Sequence, residues 1–540
     1  MNPEHTSGSE KRPNPDDEHA SGEASGDAPG KLPVGDDSNV ARVARGAGIS
    51  TVGQGTGRVL GYITQSLLAR GLGASSFGLY TLGVGVVTAA QIISQFGLDN
   101  GVVRYVAHYR GQDDTARVRG TILQSVGITF AISLVVAAAM FFGAGTLASF
   151  FEAGLEPVIK AFAFALPFFA TMSILLWTTQ GFQTVTYATY TQQILRPLIY
   201  FLLVVTVYFV GASLTGVVAA YAISMACGVL IGLYFLRRLF PPLLDAKTRP
   251  KFETKALFGV SIPMSVSRAT QYANNWTAVL VLGLFYPAGL VGIFQAAFRT
   301  ATLATLVRFA FNGIFSPIIS SLHSQEMTEE LGRLYKDVTR WTFTGAFALF
   351  LVIVLLAGEI LTVFGGPEFR EGLTALVIVA GAQLYSASVG PANRMLAMTG
   401  NHNILMFASV TGALTGVAVC FALIPSFGLV GAGFGAAAAI LTENTLTLIF
   451  VKRRVGFWPY SFSFWKPLAA GVVGAGLAYG AKLALPSLGL VLTVGMIGAV
   501  FGVAFLALLL LFGLTATDRE FIGAFWNVAK KYLPARFRDG

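Results

Sequence analysis

Three arginines lie near the centres of long apolar segments, where a charged side chain is rare. They are Arg58, Arg268 and Arg299. Placing a guanidinium at the centre of a bilayer costs about 2.5 to 3.5 kcal/mol on insertion scales, so such a residue usually has a function. Its planar set of N–H donors fits phosphate oxygens. We therefore expect these three side chains to line a central cavity and to bind an anionic group.

Several uncharged polar residues should share the helix faces of these arginines, because they lie three, four or seven residues away. These supporting residues are Gln54, Gln271, Tyr272, Asn275 and Gln295. Arg308 lies nine residues after Arg299, which is half a turn away on an unbroken helix, and it is close to the helix end. We therefore rank Arg308 below the three central arginines as a cavity residue.

Few carboxylates are available to neutralise these arginines. Glu443 lies deep in an apolar segment, and Asp99 lies near the end of another. Ion pairing within the helix bundle is the structural alternative to ligand binding, and Glu443 could instead carry a coupling proton. Because the deep cations outnumber the deep carboxylates, we expect a positive cavity that binds anions.

The composition excludes a soluble multidomain protein. Of 540 residues, 54% are hydrophobic and 12% are charged, and the mean hydropathy is +0.66. Apolar segments of about 20 residues cross the hydrocarbon as helices, so the sequence predicts an all-α integral membrane protein with about fourteen transmembrane helices. The predicted spans are 46–69, 77–98, 119–142, 158–178, 192–210, 214–236, 257–284, 288–313, 341–364, 373–396, 403–424, 429–451, 465–485 and 489–513.

Basic residues concentrate in the even-numbered connections, among them Arg117, Arg238, Lys336 and Arg453. By the positive-inside rule, we expect both termini in the cytoplasm and a multi-pass protein of the plasma membrane. Membrane orientation therefore explains why Lys and Arg outnumber Asp and Glu in this chain, and no nucleic-acid partner is expected. The histidines are scattered without a second ligand at metal spacing, and we predict neither a metal nor a cofactor.

An internal repeat relates the two halves of the chain. Residues 67–80 resemble 281–294, and two further pairs of segments match in the same order at offsets of 214 to 219 residues. Such an offset spans six helices, which predicts two six-helix lobes in parallel orientation around a central cavity, followed by two C-terminal helices. The predicted domains are a disordered cytoplasmic tail (1–44), an N-lobe (45–240), a cytoplasmic linker (241–256), a C-lobe (257–455), the last two helices (456–515) and a cytoplasmic tail with an amphipathic pattern (516–540).

Four stretches resemble a known family. They are GQGTGRVLGYITQSLLARGLGASSFGLY, FGLDNGVVRYVA, GLVGIFQAAFR and GPANRMLAMTGNHN. Together they are similar to the polysaccharide flippases, the O-antigen and lipid-linked-oligosaccharide transporters of the multidrug/oligosaccharidyl-lipid/polysaccharide (MOP) exporter superfamily. The resemblance covers residues 44–515 and implies two six-helix lobes plus two further helices.

The resemblance also implies a function. Such a protein moves a glycan linked to a polyprenyl phosphate or pyrophosphate from the cytoplasmic to the outer leaflet by alternating access. The central positions Arg58, Arg268 and Arg299 would then hold the phosphate while the lipid tail stays among the membrane lipids. Glycan polymerases or glycosyltransferases are candidate partners, and we expect a monomer that is not an enzyme.

Two other functions stay open at this point. A cation-coupled drug or small-molecule antiporter of the same fold should have carboxylates at mid-membrane depth. A membrane-embedded glycan polymerase or glycosyltransferase should have a sizeable outer loop with catalytic groups. The central arginines and the short outer connections favour the flippase over both.

Overall fold

A computed structural model describes residues 37–211, 213–244, 249–484, 489–513 and residue 518. The chain divides into a first unit, residues 1–45, and a second unit, residues 46–540, which contains both cavities and all the candidate site residues. Its described residues form helices joined by short connections, and these residues include no β-strand. Most of the N-terminal segment expected to be disordered, and most of the C-terminal tail, lie outside the described residues. The first helix begins at Asp37, inside the segment predicted as disordered.

The α-helices are numbered in chain order. They are α1 (Asp37–Gln95), α2 (Leu98–Arg110), α3 (Thr115–Phe142), α4 (Ala144–Ser149), α5 (Leu155–Gly181), α6 (Thr186–Thr189), α7 (Arg196–Gly211), α8 (Leu214–Leu239), α9 (Thr254–Phe285), α10 (Ala288–Ala301), α11 (Thr305–Ser324), α12 (Thr328–Leu355), α13 (Ala357–Gly365), α14 (Leu373–Val389), α15 (Ala392–Met398), α16 (His402–Arg454), α17 (Trp465–Ala484) and α18 (Leu490–Leu511). A π-helical turn (Tyr190–Leu195) joins α6 to α7, and a 3₁₀ turn (Thr302–Ala304) joins α10 to α11.

Eleven helical segments of the described chain are long and apolar enough to cross a membrane. Two of them, of 43 and 53 residues, are far longer than one crossing requires. Each is interrupted at a glycine with positive φ, at Gly73 in α1 and Gly428 in α16. A positive φ is costly for other residues, so these two glycines allow the chain to bend between two apolar stretches.

Most predicted spans agree with the observed helices to within a few residues, but two differ in an informative way. The span predicted at 288–313 is broken by the 3₁₀ turn Thr302–Ala304. The span predicted from residue 341 begins at Thr328, because its first three turns are polar and do not contribute to an apolar segment. Hydropathy therefore located the membrane-crossing part of α12 and missed its extension.

The two halves of the chain touch through a matched pair of contacts. The break at Gly73 leaves the amide of Ala74 without a partner in its own helix, and this N–H donates to Glu368 Oε1 at 3.0 Å. Ala288 is the first residue of α10, so its amide also has no partner within the helix. This N–H donates to Glu152 Oε2 at 2.9 Å. The two amides are 214 residues apart and the two carboxylates 216 apart. Both offsets match the repeat seen in the sequence.

The same crossing is too close for side chains. A Cβ on Gly78 would overlap the carbonyl oxygen of Ala288, and a Cβ on Gly292 would overlap that of Ala74. Small residues allow helix backbones to approach closely in membrane proteins. This contact joins the part of α1 that follows Gly73 to the first turns of α10, the helix that carries Arg299.

Candidate functional site

A cavity of about 430 Å³ lies between α1, α9, α10, α11 and α14. We call it the arginine cavity. It is lined by Gly57, Arg58, Gly61, Tyr62, Gln65, Gln193, Asn275, Phe298, Arg299, Thr302, Leu303, Thr305, Leu306, Arg308 and Gln383. Three of these residues are arginines, and none is a carboxylate. Among the described residues, the lining therefore holds three cations and no anion.

The three arginines of this cavity have different partners. Arg58 Nη1 donates to Thr305 Oγ1 at 3.0 Å, and Arg308 Nη1 donates to Ser386 Oγ. Arg299 is exposed to the cavity, and within the described residues its guanidinium has neither a hydrogen-bond nor an ion-pair partner. A guanidinium in this setting is available to a ligand and gains more from one than it would in water.

Arg308 lines the cavity although its spacing from Arg299 predicted the opposite face. That prediction assumed an unbroken helix. The 3₁₀ turn Thr302–Ala304 interrupts α10 and α11, and its three residues per turn replace the 3.6 of an α-helix. The spacing rule for one continuous helix therefore does not apply across this turn, and Arg308 lines the cavity together with Arg299.

Three glutamines of the arginine cavity were missed by the sequence analysis. Gln65 lies seven residues after Arg58 and so shares its helix face, a signal that could have identified it. Its Oε1 is buried without a hydrogen-bond partner. Gln193 lies in the π-helical turn, an element that often marks functional sites, and Gln383 comes from α14. These two could not be found from their spacing to Arg58, Arg268 or Arg299, because none of these three arginines lies on the same helix.

A second, smaller cavity of about 200 Å³ lies beside the first, and Asn275 lines both. We call it the amide cavity. It is lined by Thr88, Gln91, Ile92, Gln95, Gly97, Asp99, Arg268, Gln271, Tyr272, Asn275 and Trp276. Four of these side chains are primary amides. Its lining is therefore polar, and it contains one cation, Arg268, and one carboxylate, Asp99. The lining of the arginine cavity contains three cations and no carboxylate.

Arg268 lies in the amide cavity and not with Arg58 and Arg299, which corrects the expectation of one cavity for all three. Its Nη2 forms an ion pair with Asp99, a carboxylate only 1% exposed. Its guanidinium also lies over the ring of Trp177, 4.5 Å from the centroid. Asp99 follows the turn at Gly97 that ends α1, and this turn brings it to α9. The structural alternative, ion pairing, therefore describes Arg268.

Of the five polar residues predicted to support the arginines, three line a cavity and two do not. Gln271, Tyr272 and Asn275 line the amide cavity, as their shared helix face suggested. Gln54 and Gln295 line neither cavity, and Gln295 is buried between helices. A side chain on the same face as an arginine can still be covered by a neighbouring helix.

Glu443 does not pair with an arginine in the described structure. Its Oε1 accepts a hydrogen bond from Ser409 Oγ at 3.0 Å, and its Oε2 accepts one from Asn274 Nδ2 at 3.3 Å. The carboxylate is thus held between α16 and α9 outside both cavity linings. Among the described residues, no group of three or more His, Cys, Asp or Glu is placed to hold a metal ion.

The fold defines the class of the protein. The lipid II flippase MurJ in an inward closed conformation aligns with a TM-score of 0.66 over 86% of this chain and 98% of its own, at 13% identity. An inward-facing multidrug resistance MATE family transporter of the MOP superfamily aligns with a TM-score of 0.58 over 74% of this chain and 94% of its own, at 15% identity. The chain is a multi-pass membrane protein with the fold of MOP superfamily transporters.

The family follows from the sequence match. A family model described as "Polysaccharide biosynthesis protein" matches residues 43–323, more than half of the chain. The chain belongs to this family, and the resemblance found in its sequence motifs is confirmed.

Curated relatives agree with this assignment. The chain is 23% identical over 236 residues to the probable low-salt glycan biosynthesis flippase Agl15 of Haloferax volcanii, covering 43% of this chain and 50% of that protein. It is 23% identical over 428 residues to the stage V sporulation protein B of Bacillus subtilis, covering 74% of this chain and 80% of that protein. The match thus spans about half the length of Agl15 and four-fifths of the sporulation protein.

Proposed function

We propose that this protein is a flippase for a polyprenyl phosphate- or pyrophosphate-linked oligosaccharide. It moves the glycan from the cytoplasmic to the outer leaflet by alternating access, for the synthesis of surface polysaccharide or glycoprotein. The phosphate binds to Arg58, Arg299 and Arg308 in the arginine cavity, while the lipid tail stays in the bilayer. Arg268 supports the site from the amide cavity as one half of an ion pair.

One observation carries this proposal: three arginines line a cavity of about 430 Å³ whose lining holds no carboxylate among the described residues. Guanidinium groups bind phosphate oxygens with strong, charge-assisted hydrogen bonds. The names of Agl15 and AglR of Haloferax volcanii, which are both called flippases, support the same substrate class. A cation antiporter would need a carboxylate free to bind its substrate or coupling ion. Asp99 and Glu443 are the deep candidates, and both are engaged by neighbouring residues.

We also propose fourteen crossings in two six-helix lobes that arose by duplication, with both termini in the cytoplasm. Counting each kinked segment twice and adding α9 to the eleven candidate spans gives this number. The matched contacts of Glu152 and Glu368 support the duplication, since equivalent positions make equivalent contacts in the two halves. In this orientation the two glutamates lie at the outer end of the lobes. Glycan polymerases or glycosyltransferases as partners and a monomeric state stay predictions.

The test is transport by the full chain in reconstituted vesicles. The probe is undecaprenyl pyrophosphate carrying a disaccharide with a dithionite-sensitive fluorophore on its distal sugar, and the measurement is the rate at which the probe exchanges between leaflets. We expect Arg299→Ala to reduce this rate about 30-fold or more, because loss of one partner of a charge-assisted contact costs about 2 to 5 kcal/mol.

Arg333→Ala is the matched control, since Arg333 is 75% exposed and lies outside both cavities. Its rate should equal that of the wild type. Transport of the probe by Arg299→Ala at the wild-type rate, with equal protein in the vesicles, would contradict the proposal.

A further inference from the structure

The amide cavity contains two glutamines without partners. Gln91 is only 7% exposed, and its amide has no hydrogen-bond partner among the described residues. The side-chain amide of Gln271, across the cavity on α9, likewise has none. Because Gln91 is almost buried, its amide would gain from a ligand that supplies the missing bonds, and the exposed amide of Gln271 is open to the same ligand.

An aromatic wall closes one side of this cavity. The rings of Tyr272 and Trp276 are stacked, with centroids 6.3 Å apart and planes inclined by 24°. Tyr272 is held in place because its hydroxyl donates to the carbonyl oxygen of Gly85 at 2.9 Å. A Cβ at Gly85 would come within 3.0 Å of Trp276, so the indole packs directly against the backbone of α1. The two rings therefore give the lining of the amide cavity a rigid aromatic patch.

The charge of the amide cavity is balanced. Arg268 is the cation of its lining, and Asp99 neutralises it. A second anionic group would find no free cation in this lining, whereas the arginine cavity next to it has one in Arg299. The ligand that fits the amide cavity is thus uncharged, forms many hydrogen bonds and has one apolar face.

We propose that the amide cavity binds the sugar residue attached directly to the phosphate. Sugar hydroxyls both donate and accept hydrogen bonds, as primary amides do, and the C–H face of a pyranose can lie flat on the aromatic wall. The volume of about 200 Å³ suits a single sugar ring rather than a long glycan. Asn275 lines both cavities and so contacts the junction between phosphate and sugar. This inference rests on the proposed function and adds a position for the first sugar.

The experiment compares binding of two tail-labelled probes to the purified full chain: undecaprenyl pyrophosphate alone, and the same lipid carrying one hexose or N-acetylhexosamine. The wild type should bind at least one glycosylated probe more tightly than the bare lipid. In Gln91→Leu/Gln271→Leu, the Kd for that probe should rise about tenfold, because lost hydrogen bonds in a buried site cost about 1 to 2 kcal/mol. The Kd for the bare lipid should change less than about twofold, since the phosphate contacts are untouched.

A second series keeps the test independent of folding defects in the glutamine variant. Trp276→Leu should weaken binding of the glycosylated probe, and Trp276→Phe, which keeps a ring, should weaken it less. Gln112→Leu is the control, since Gln112 is exposed and outside both cavities. Its Kd for both probes should be unchanged.

Each outcome separates the two proposals. Equal affinity of the wild type for bare and glycosylated lipid, or equal losses for both probes in the glutamine variant, would overturn the sugar site and leave the phosphate site standing. No binding of either probe, together with no effect of Arg299→Ala, would overturn the proposed function as well. Stabilisation of the wild type by Na⁺ that disappears in Asp99→Asn would identify a cation site and overturn the sugar site.

Discussion

The arginine cavity and the amide cavity meet at Asn275 but treat their arginines in opposite ways. In the amide cavity, Arg268 is matched by the buried carboxylate of Asp99 and packs on Trp177. In the arginine cavity, Arg299 faces open space without a protein partner among the described residues. Both arginines were predicted to bind a ligand because each lies near the centre of an apolar segment. Only Arg299 has N–H donors that a ligand could use. An arginine that already has its counter-ion stabilises the fold, and one that lacks it costs stability and serves binding.

The largest difference in stability that we expect between the two cavities is caused by substitution of Arg268. Arg268→Ala should destabilise the protein by about 3 to 5 kcal/mol, because it leaves Asp99 buried and charged without a partner. The measurement is the thermal unfolding temperature of the purified protein in detergent. In the double variant Arg268→Ala/Asp99→Asn, most of the lost stability should return.

A matched control for this effect is the exposed ion pair between Lys160 and Glu156. Lys160→Ala should cost less than about 1 kcal/mol, since solvent screens such pairs. If Arg268→Ala and Lys160→Ala lowered the unfolding temperature equally, the ion pair between Arg268 and Asp99 would not stabilise the fold more than an exposed ion pair does.

A smaller effect of opposite sign is expected at Arg299. Arg299→Met should leave stability unchanged or raise it by about 1 kcal/mol, because it removes from the cavity a charge that has no protein partner among the described residues. The same variant should lose transport. A fall in unfolding temperature as large as that of Arg268→Ala would show that Arg299 has a structural partner, and the contrast between the cavities would disappear.

The smallest effect is ligand stabilisation by the phosphate group alone. Inorganic pyrophosphate at about ten times its Kd should stabilise the wild type by about 1.4 kcal/mol through binding to the folded state. Arg299→Met should lose this stabilisation, whereas Gln91→Leu should keep it. Equal stabilisation of wild type and Arg299→Met would show that the anion binds elsewhere.

Much of the candidate site could be predicted from local sequence. Arg58 and Arg299 were found because a charge in the centre of an apolar segment is visible without a structure. Tyr272 and Asn275 were found because helical periodicity fixes which residues share a face with Arg268. Gln65 could have been found by the same rule. Gln193 and Gln383 could not, because nothing in their own segments connects them to an arginine on another helix.

The sequence by itself determined that this protein is an all-helical membrane protein of a known family, with arginines near the centres of apolar segments. Hydropathy and charge are properties of single segments, so each segment reveals them alone. Only the tertiary structure decided that Asp99 pairs with Arg268, and that Arg308 lines the same cavity as Arg299. Both depend on which helices touch and how each one bends, and these contacts join residues that lie far apart in the chain.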